Sequence, residues 1–139
     1  MSSKRFSPPQ SGDGDHPALT VRIQDASDGT SIVAIAGELD LSTIPRMQGA
    51  LLEQISQRPA VLIDLSGLSF IDSSGIGILI QAVRGANGTP VHILIASDSQ
   101  VDRVFSIAGV SDALPVFTER QRALSWAGNH DRETEGPDS

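Results

Sequence analysis

The stretch FIDSSGIG, residues Phe70–Gly77, decides how this chain is expected to fold. An apolar strand ends at Ile71, and an apolar helix begins a few residues later. Between them lie one acid, two serines and two glycines, and the second glycine is already inside the helix. Each interior glycine costs a helix about 1 kcal/mol relative to alanine. The small residues at this strand-to-helix turn therefore indicate a purpose beyond helix formation.

On both sides of this stretch, apolar periodicity predicts an alternation of strands and helices. Leu19, Val21 and Ile23 alternate with polar residues as in a half-buried strand, and Asp28-Gly29 favours a tight hairpin turn. The predicted strands are 18–25, 30–36, 60–65, 91–96 and 114–117. The predicted helices are 42–57, 73–86, one capped by Asp98 and ended by Gly109, and 119–127. This order predicts an α/β fold, in which a mixed four- to five-stranded sheet packs against about four helices.

Two of the predicted helices carry apolar stripes. The helix at 42–57 has a cap candidate at Ser42 or Thr43 and a proline in its first turn. Its apolar residues recur at helical spacing: Ile44, Met47, Leu51, Leu52 and Ile55. The core stripe expected in the helix at 73–86 consists of Ile76, Leu79, Ile80 and Val83. Ile78 and Ala82 widen that apolar arc, which indicates either deep burial or contact with a partner.

Composition places the compact part of the chain between two polar ends. Residues 1–17 are rich in Ser, Pro, Gly and Asp, and residues 129–139 are similar and acidic. Both segments are predicted to be disordered tails, because they lack the apolar residues that folding requires. Residues 18–128 are predicted to form one domain, which is the ordinary content of a chain of 139 residues.

Charge and residue usage exclude several classes of function. The net charge of −7, without a Lys/Arg cluster, argues against a nucleic-acid partner. Cysteine is absent, which excludes disulfides, thiol nucleophiles and Cys-ligated zinc. No apolar segment reaches the ~18 residues of a membrane span, and the N-terminal stretch has no apolar core typical of a secretion signal. A cytoplasmic protein without a membrane partner is expected.

The motif itself admits several interpretations. Asp72, Ser73 or Ser74 can cap the helix, because their side chains accept bonds from the N–H groups of a first turn. Capping explains neither Gly75 nor Gly77, which are expected at the second and fourth helical positions. Glycines there leave backbone donors bare at the positive end of the helix dipole, which suits a bound phosphate, a phosphoserine or a closely packed partner. Packing of Gly77 on the neighbouring strand is the alternative.

A second acidic turn lies upstream. The sequence GELD, residues 37–40, follows the returning strand and is explained equally by an ordinary turn with exposed acids. If both crossovers start at the same edge of the sheet, Asp40 comes near Ser73. Two acids beside a serine would then mark one surface.

The sequence gives little support for enzyme chemistry. It contains neither a Gly-x-Ser-x-Gly nucleophile elbow nor a Gly-x4-Gly-Lys-Ser/Thr phosphate loop. His16 and His130 fall in the predicted tails, and His92 lies in an apolar strand, where a structural role is expected. No metal-ligand spacing is present. The chain is predicted to have no catalytic residues, metal or cofactor.

Together, GELDLST and DLSGLSFIDSSGIGILI closely resemble STAS domains, in particular those of bacterial anti-sigma factor antagonists. The similarity covers roughly residues 19–127. It implies that an anti-sigma factor, which is also a serine kinase, phosphorylates the serine after the motif aspartate, here Ser73. It also implies that the unphosphorylated protein binds this anti-sigma factor and thereby releases the sigma factor, while a serine phosphatase resets the switch. The contact surface implied for the partner is Asp40, Asp72, Ser74 and Gly75. The long tails are a difference from the smallest family members, which lack them.

Two other function classes stay open on the residues. The chain could be an unmodified STAS subunit of a transporter or signalling assembly, in which the serine serves only as a cap. It could instead be a small-molecule sensor or enzyme that uses the helix N-terminus as an anion site. The particular sigma factor, the upstream stimulus and the oligomeric state have no signal in the sequence.

Overall fold

A computed structural model describes residues 18–110 and 113–128. The predicted tails, 1–17 and 129–139, lie outside the described residues. The elements in chain order are β1 (Leu19–Asp25), β2 (Ser31–Leu39), α1 (Ile44–Gln57), β3 (Val61–Ile71), α2 (Ser73–Arg84), β4 (Val91–Leu94), α3 (Gln100–Ala108), β5 (Val116–Phe117) and α4 (Arg120–Gly128). Within these residues, none of the helices combines the length and apolar character that a membrane crossing requires.

The five strands form one mixed sheet in the order β1-β2-β3-β4-β5. β1 and β2 are an antiparallel hairpin, and every later pair is parallel. Gly29 has φ +90° in the turn of that hairpin, a conformation that glycine adopts without a Cβ penalty. Asp28 does not share this conformation, but its carboxylate accepts the N–H of Thr30 at 3.0 Å. The predicted α/β fold with one hairpin and four helices is confirmed.

Alternate strand residues face two separate cores. One face packs beneath α1, α2 and α3, with Val33, Ile35 and Ile63 fully buried. The opposite face contributes Ile32, Leu62 and Leu94, which pack against Ala123 and Ala127 of α4. Strands covered on both faces require a nearly continuous apolar sequence, which is what β2 and the first half of β3 have.

The helix stripes differ from the sequence prediction in detail. In α1 the buried residues are Met47, Leu51 and Ile55, whereas Leu52 is 46% exposed. In α2 the buried side chains are Ile76, Leu79 and Ala82, whereas Ile80 and Val83 are only half-buried. The buried stripe of α2 is thus rotated toward its small residues, which let the helix approach the sheet closely.

One predicted helix cap was wrong, and the other residue occupies the predicted position without the expected side-chain hydrogen bond. Ser99, not Asp98, caps α3, because its hydroxyl accepts the N–H of Asp102 at 3.1 Å. Asp98 has φ +62° and donates its own N–H to the Asp102 carboxylate at 2.8 Å. Thr43 occupies the N-cap position of α1, but its side chain makes no cap hydrogen bond. The N–H of Ile44, the first residue of α1, donates instead to the backbone carbonyl of Asp40 at 3.0 Å.

Candidate functional site

The ends of β2 and β3 lie side by side at one edge of the sheet. Leu39 is the register partner of Ile71, and the N–H of Asp72 donates to the carbonyl oxygen of Leu39 at 3.3 Å. Asp40 follows Leu39 directly, so both acidic turns start at the same edge, as parallel strands require. The structure brings Asp40 and the Asp72-Ser73 pair to neighbouring strand ends.

Asp72 caps α2. Its backbone is extended, with φ −115° and ψ −175°, and its carboxylate accepts the N–H of Gly75 at 3.0 Å. The Asp72 carbonyl accepts the N–H of Ile76 at 3.1 Å, which closes the first helical turn. The N–H groups of Ser73 and Ser74 precede this turn and have no intrahelical acceptor by geometry. Ser73 is exposed and Ser74 is half-buried. The Ser73 side chain therefore stands at a helix start that is already capped without it.

Gly75 and Gly77 serve different purposes. They are the third and fifth helical residues, one place later than the sequence indicated. A Cβ on Gly75 would lie 2.8 Å from Cγ1 of Ile71 and 2.9 Å from the carbonyl oxygen of Leu39, so no side chain fits there. A Cβ on Gly77 would meet nothing within 4 Å. The close-packing interpretation applies to Gly75 and not to Gly77, whose bare backbone faces open space.

Asp40 organises the other turn. Its Oδ1 accepts the Ser42 hydroxyl at 2.8 Å, the Ser42 N–H at 3.0 Å and the Thr43 N–H at 3.2 Å. Its carbonyl accepts the N–H of Ile44 at 3.0 Å. The Thr43 hydroxyl donates to the Glu38 carbonyl at 2.8 Å, which ties the turn back to β2. Hydrogen bonds from the Ser42 side chain, and then from the Thr43 and Ser42 backbone, lower the pKa of Asp40, although desolvation opposes them. Asp40 is therefore a carboxylate at neutral pH.

Apolar surface flanks these turns. Leu41, next to Asp40, is 73% exposed. A groove of about 160 Å³ runs between α1 and α2, where Leu52 and Ile78 lie between Gln48 and Gln81. Leu52 is exposed, whereas Ile78 is half-buried and packs against the main core. The widened apolar arc of α2 is thus partly on the surface rather than deeply buried.

Gln100 reaches the same strand end from α3, although nothing in the sequence pattern marked it. Its Oε1 accepts the N–H of Ile71 at 3.1 Å, and its Nε2 donates to the carbonyl of Ile71 at 3.4 Å. A glutamine in the first turn of a helix is not part of any apolar periodicity, so no sequence pattern predicts its contacts. Its spatial neighbour, 29 residues earlier, is visible only in the fold.

Other polar groups are used structurally. His92 packs against the rings of Phe117 and Trp126, with centroid separations of 5.4 Å and 4.1 Å. Across the sheet, Asp64 accepts the Ser66 hydroxyl at 2.6 Å and pairs with Arg120 at 3.3 Å. Over the ranges 18–110 and 113–128, no three His, Asp or Glu side chains are grouped so that they could hold a metal ion. His16 and His130 lie outside these ranges.

Three comparisons identify what this chain is similar to. The anti-sigma-F factor antagonist RsfB of Mycobacterium tuberculosis is 28% identical over 109 residues, which cover 78% of this chain and 88% of that protein. The anti-sigma-B factor antagonist of Listeria monocytogenes is 26% identical over 100 residues, 70% of this chain and 88% of that protein. The crystal structure of an anti-sigma factor antagonist from Mycobacterium paratuberculosis matches with a TM-score of 0.70 at 26% identity, covering 78% and 93% of the two chains.

None of these three names denotes an enzyme; all denote regulatory proteins. A sequence profile of the STAS domain matches residues 22–123. The matched residues run from within β1 through β5 and into α4, so they include both strand ends and the complete turn at Ser73. This chain belongs to the STAS domain family.

Proposed function

We propose that this protein is an anti-sigma factor antagonist that is switched by phosphorylation of Ser73. In its unphosphorylated form it binds a cognate anti-sigma factor and thereby releases the sigma factor. The exposed Ser73 side chain at the first position of a helix already capped by Asp72 is the observation that carries this proposal. Relatives named as anti-sigma factor antagonists support the regulatory class.

The proposed modification fits the helix start. A phosphoserine adds about −1.5 to −2 charges and three acceptor oxygens at neutral pH. At the first position of α2 these oxygens lie beside N–H groups that have no intrahelical acceptor and at the positive end of the helix dipole. Because Ser73 is exposed and its hydroxyl is not needed for the cap, the fold can accept the phosphate without rearrangement.

A docked partner meets the phosphate differently. A protein surface packed over Ser73 would have to desolvate the dianion beside two existing carboxylates, those of Asp72 and Asp40. Hydrogen bonds lower the pKa of Asp40, and its negative charge adds to the repulsion. A penalty of ~3 kcal/mol would weaken binding by roughly a hundredfold. Phosphorylation should therefore change association and leave the structure unchanged.

The proposed contact surface combines this charged edge with the apolar groups around it. Asp40, Asp72 and Ser74 present polar groups, and exposed Leu41 supplies apolar area. The bare backbone at Gly77 permits close approach. Gly75 is buried, so we assign it an indirect role, which is to bring α2 against the strand ends.

The experiment that tests the proposal uses purified anti-sigma factors with kinase activity from the same genome. Each is incubated with the full-length protein and radiolabelled ATP, and the modified residue is mapped by mass spectrometry. Calorimetry then compares partner binding by wild type, Ser73→Ala, Ser73→Asp and, as the matched control, Ser74→Ala. A serine phosphatase that removes the label would complete the proposed cycle.

We expect label on Ser73, binding by Ser73→Ala without labelling, and weak binding by Ser73→Asp with a melting temperature changed by only a few degrees. Label on Ser74 would move the site by one residue. Equal partner binding by wild type and Ser73→Asp would contradict the switch. Binding with no labelling by any kinase would instead favour an unmodified assembly subunit.

A further inference from the structure

Among residues 18–110 and 113–128, no strand pairs with the far end of β3 on the side away from β2. β4 ends at Leu94, which is the register partner of Asp64, and Gln100 of α3 contacts β3 farther along, at Ile71. In a parallel ladder, the N–H and C=O of one residue point to the same neighbouring strand, and those of the next point to the other. Asp72 directs its N–H to Leu39 of β2, so the N–H and C=O of Ile71 point toward α3.

Gln100 satisfies both of these groups. Its side-chain amide places an acceptor 3.1 Å from the N–H of Ile71 and a donor 3.4 Å from its carbonyl. A carboxamide carries the same donor and acceptor pair as a peptide group, so it substitutes for the absent strand. Ile71 is 1% exposed, and buried backbone groups need a protein partner where water does not reach them.

The backbone of Gln100 is itself held in place. Ser99 caps the helix at this point, accepting from Asp102 at 3.1 Å and donating its hydroxyl to the Ala96 carbonyl at 2.6 Å. Asp102 in return accepts the N–H of Asp98 at 2.8 Å. These hydrogen bonds join the first turn of α3 to the residues directly before it. The amide of Gln100 therefore extends from a rigid base to the residue directly before the motif aspartate.

We propose that Gln100 is a positioning residue for Ser73, acting through Ile71 and Asp72. It holds the strand end from the α3 side, while the Leu39 carbonyl holds it from the β2 side. The Asp72 carboxylate then stays in place to cap Gly75, and the Ser73 hydroxyl is presented at one fixed position to a modifying enzyme. This role in phosphorylation rests on the function proposed above, whereas the hold on Asp72 and Gly75 is a property of the isolated protein.

Two variants and a matched control test this inference. Gln100→Ala removes both hydrogen bonds, and Gln100→Glu keeps an acceptor for the Ile71 N–H while removing the donor. Gln54→Ala is the control, because Gln54 is also half-buried and accepts the Ser31 hydroxyl at 2.7 Å, at the opposite end of β2. Amide hydrogen exchange by NMR is measured on each isolated protein, and the rate of Ser73 phosphorylation is measured separately.

In Gln100→Ala we expect exchange at Ile71, Asp72 and Gly75 to accelerate about tenfold relative to amides of α4, because buried groups have lost their partners. The exchange rates of these amides in Gln100→Glu should lie between those of the wild type and of Gln100→Ala. Gln54→Ala should leave the rates unchanged. The phosphorylation rate should fall in the same order. Unchanged exchange at Asp72 and Gly75, or equal acceleration throughout the domain, would overturn the inference even if Ser73 is phosphorylated. If no kinase modifies Ser73, the exchange result still decides whether Gln100 holds the turn.

Discussion

Gly75 and Leu39 approach so closely that a Cβ on the glycine would lie 2.9 Å from the leucine carbonyl oxygen. This carbonyl also accepts the N–H of Asp72 at 3.3 Å, so one oxygen contacts both the cap of α2 and its third residue. The first turn of the helix thus packs directly on the end of β2. Gly75 is buried at this contact, whereas Ser73, two residues earlier, is exposed.

Replacement of the two motif glycines by alanine should have opposite effects on stability. Gly75→Ala is expected to lower the free energy of unfolding by about 1–3 kcal/mol, because the added methyl must displace backbone and a buried isoleucine. Gly77→Ala has open space and is expected to raise it by up to about 1 kcal/mol through helix propensity. Urea denaturation of both variants checks this. A tolerated Gly75→Ala would show that α2 does not pack on Leu39 as described.

The cap of α2 should depend on an acceptor at position 72 rather than on its charge. Asp72→Ala is expected to lower stability by about 1 kcal/mol, because the Gly75 N–H loses its acceptor. Asp72→Asn retains an oxygen and should be close to wild type. Ser99→Ala removes the corresponding cap of α3 and provides a calibration in the same protein. A stable Asp72→Ala variant, measured by thermal denaturation, would show that another group caps the helix.

The pKa of Asp40 should respond to its serine neighbour. The Ser42 hydroxyl is the largest cause of its lowering, so Ser42→Ala is expected to raise the pKa toward the ordinary value of 3.8. Ser56→Ala, whose exposed hydroxyl bonds only a helix carbonyl, should leave it unchanged. Because the folded pKa is lowered, the stability from Asp40 is fully present above pH 3.8 and is lost as the pH falls through the folded value. Carbon-detected NMR titration of the carboxyl group measures each pKa.

The apolar part of the proposed contact surface can be separated from ordinary surface apolar residues. Leu41 and Ile107 are 73% and 85% exposed, but only Leu41 adjoins the acidic turn. Leu41→Ser is expected to weaken binding to the anti-sigma factor by about tenfold, whereas Ile107→Ser should not change it. Both substitutions should change the free energy of unfolding by less than about 0.5 kcal/mol, since neither side chain is in the core. Equal loss of binding in both would place the partner elsewhere.

Much of this fold follows from local sequence patterns. The alternation at Leu19 and Val21, the turn at Gly29 and the apolar run of β2 each predict one element, and the element order then leaves few topologies. The strand-to-helix turn at Asp72 was predictable because a cap residue directly follows an apolar strand. These features depend on neighbours in the chain, which a sequence displays.

The remaining features depend on distant neighbours. Leu51 and Leu52 are equally apolar, and only the direction from which the sheet approaches α1 decides that Leu52 is exposed. Gln100 bonds the backbone of Ile71 through its side chain, in the way that a neighbouring strand would. A single side chain in this role produces no periodic pattern in the sequence. The predicted cap of α3 was Asp98, but Ser99 is the cap, because Asp98 has a left-handed backbone conformation. Residue propensity alone does not predict this conformation.

The pairing of β2 with β3 is irregular at two places, between Ala34 and Ala36 and between Gly37 and Glu38, and each inserts one residue into β3. Since side chains alternate between faces, one inserted residue reverses their direction and a second restores it. Deletion of only one of these two inserted β3 residues would turn the side chain of Ile71 outward and direct that of Asp72 into the core. The number of residues between Asp64 and Ser73 therefore determines which way the side chains at the turn point, so substitutions along this segment should be tolerated better than single insertions or deletions.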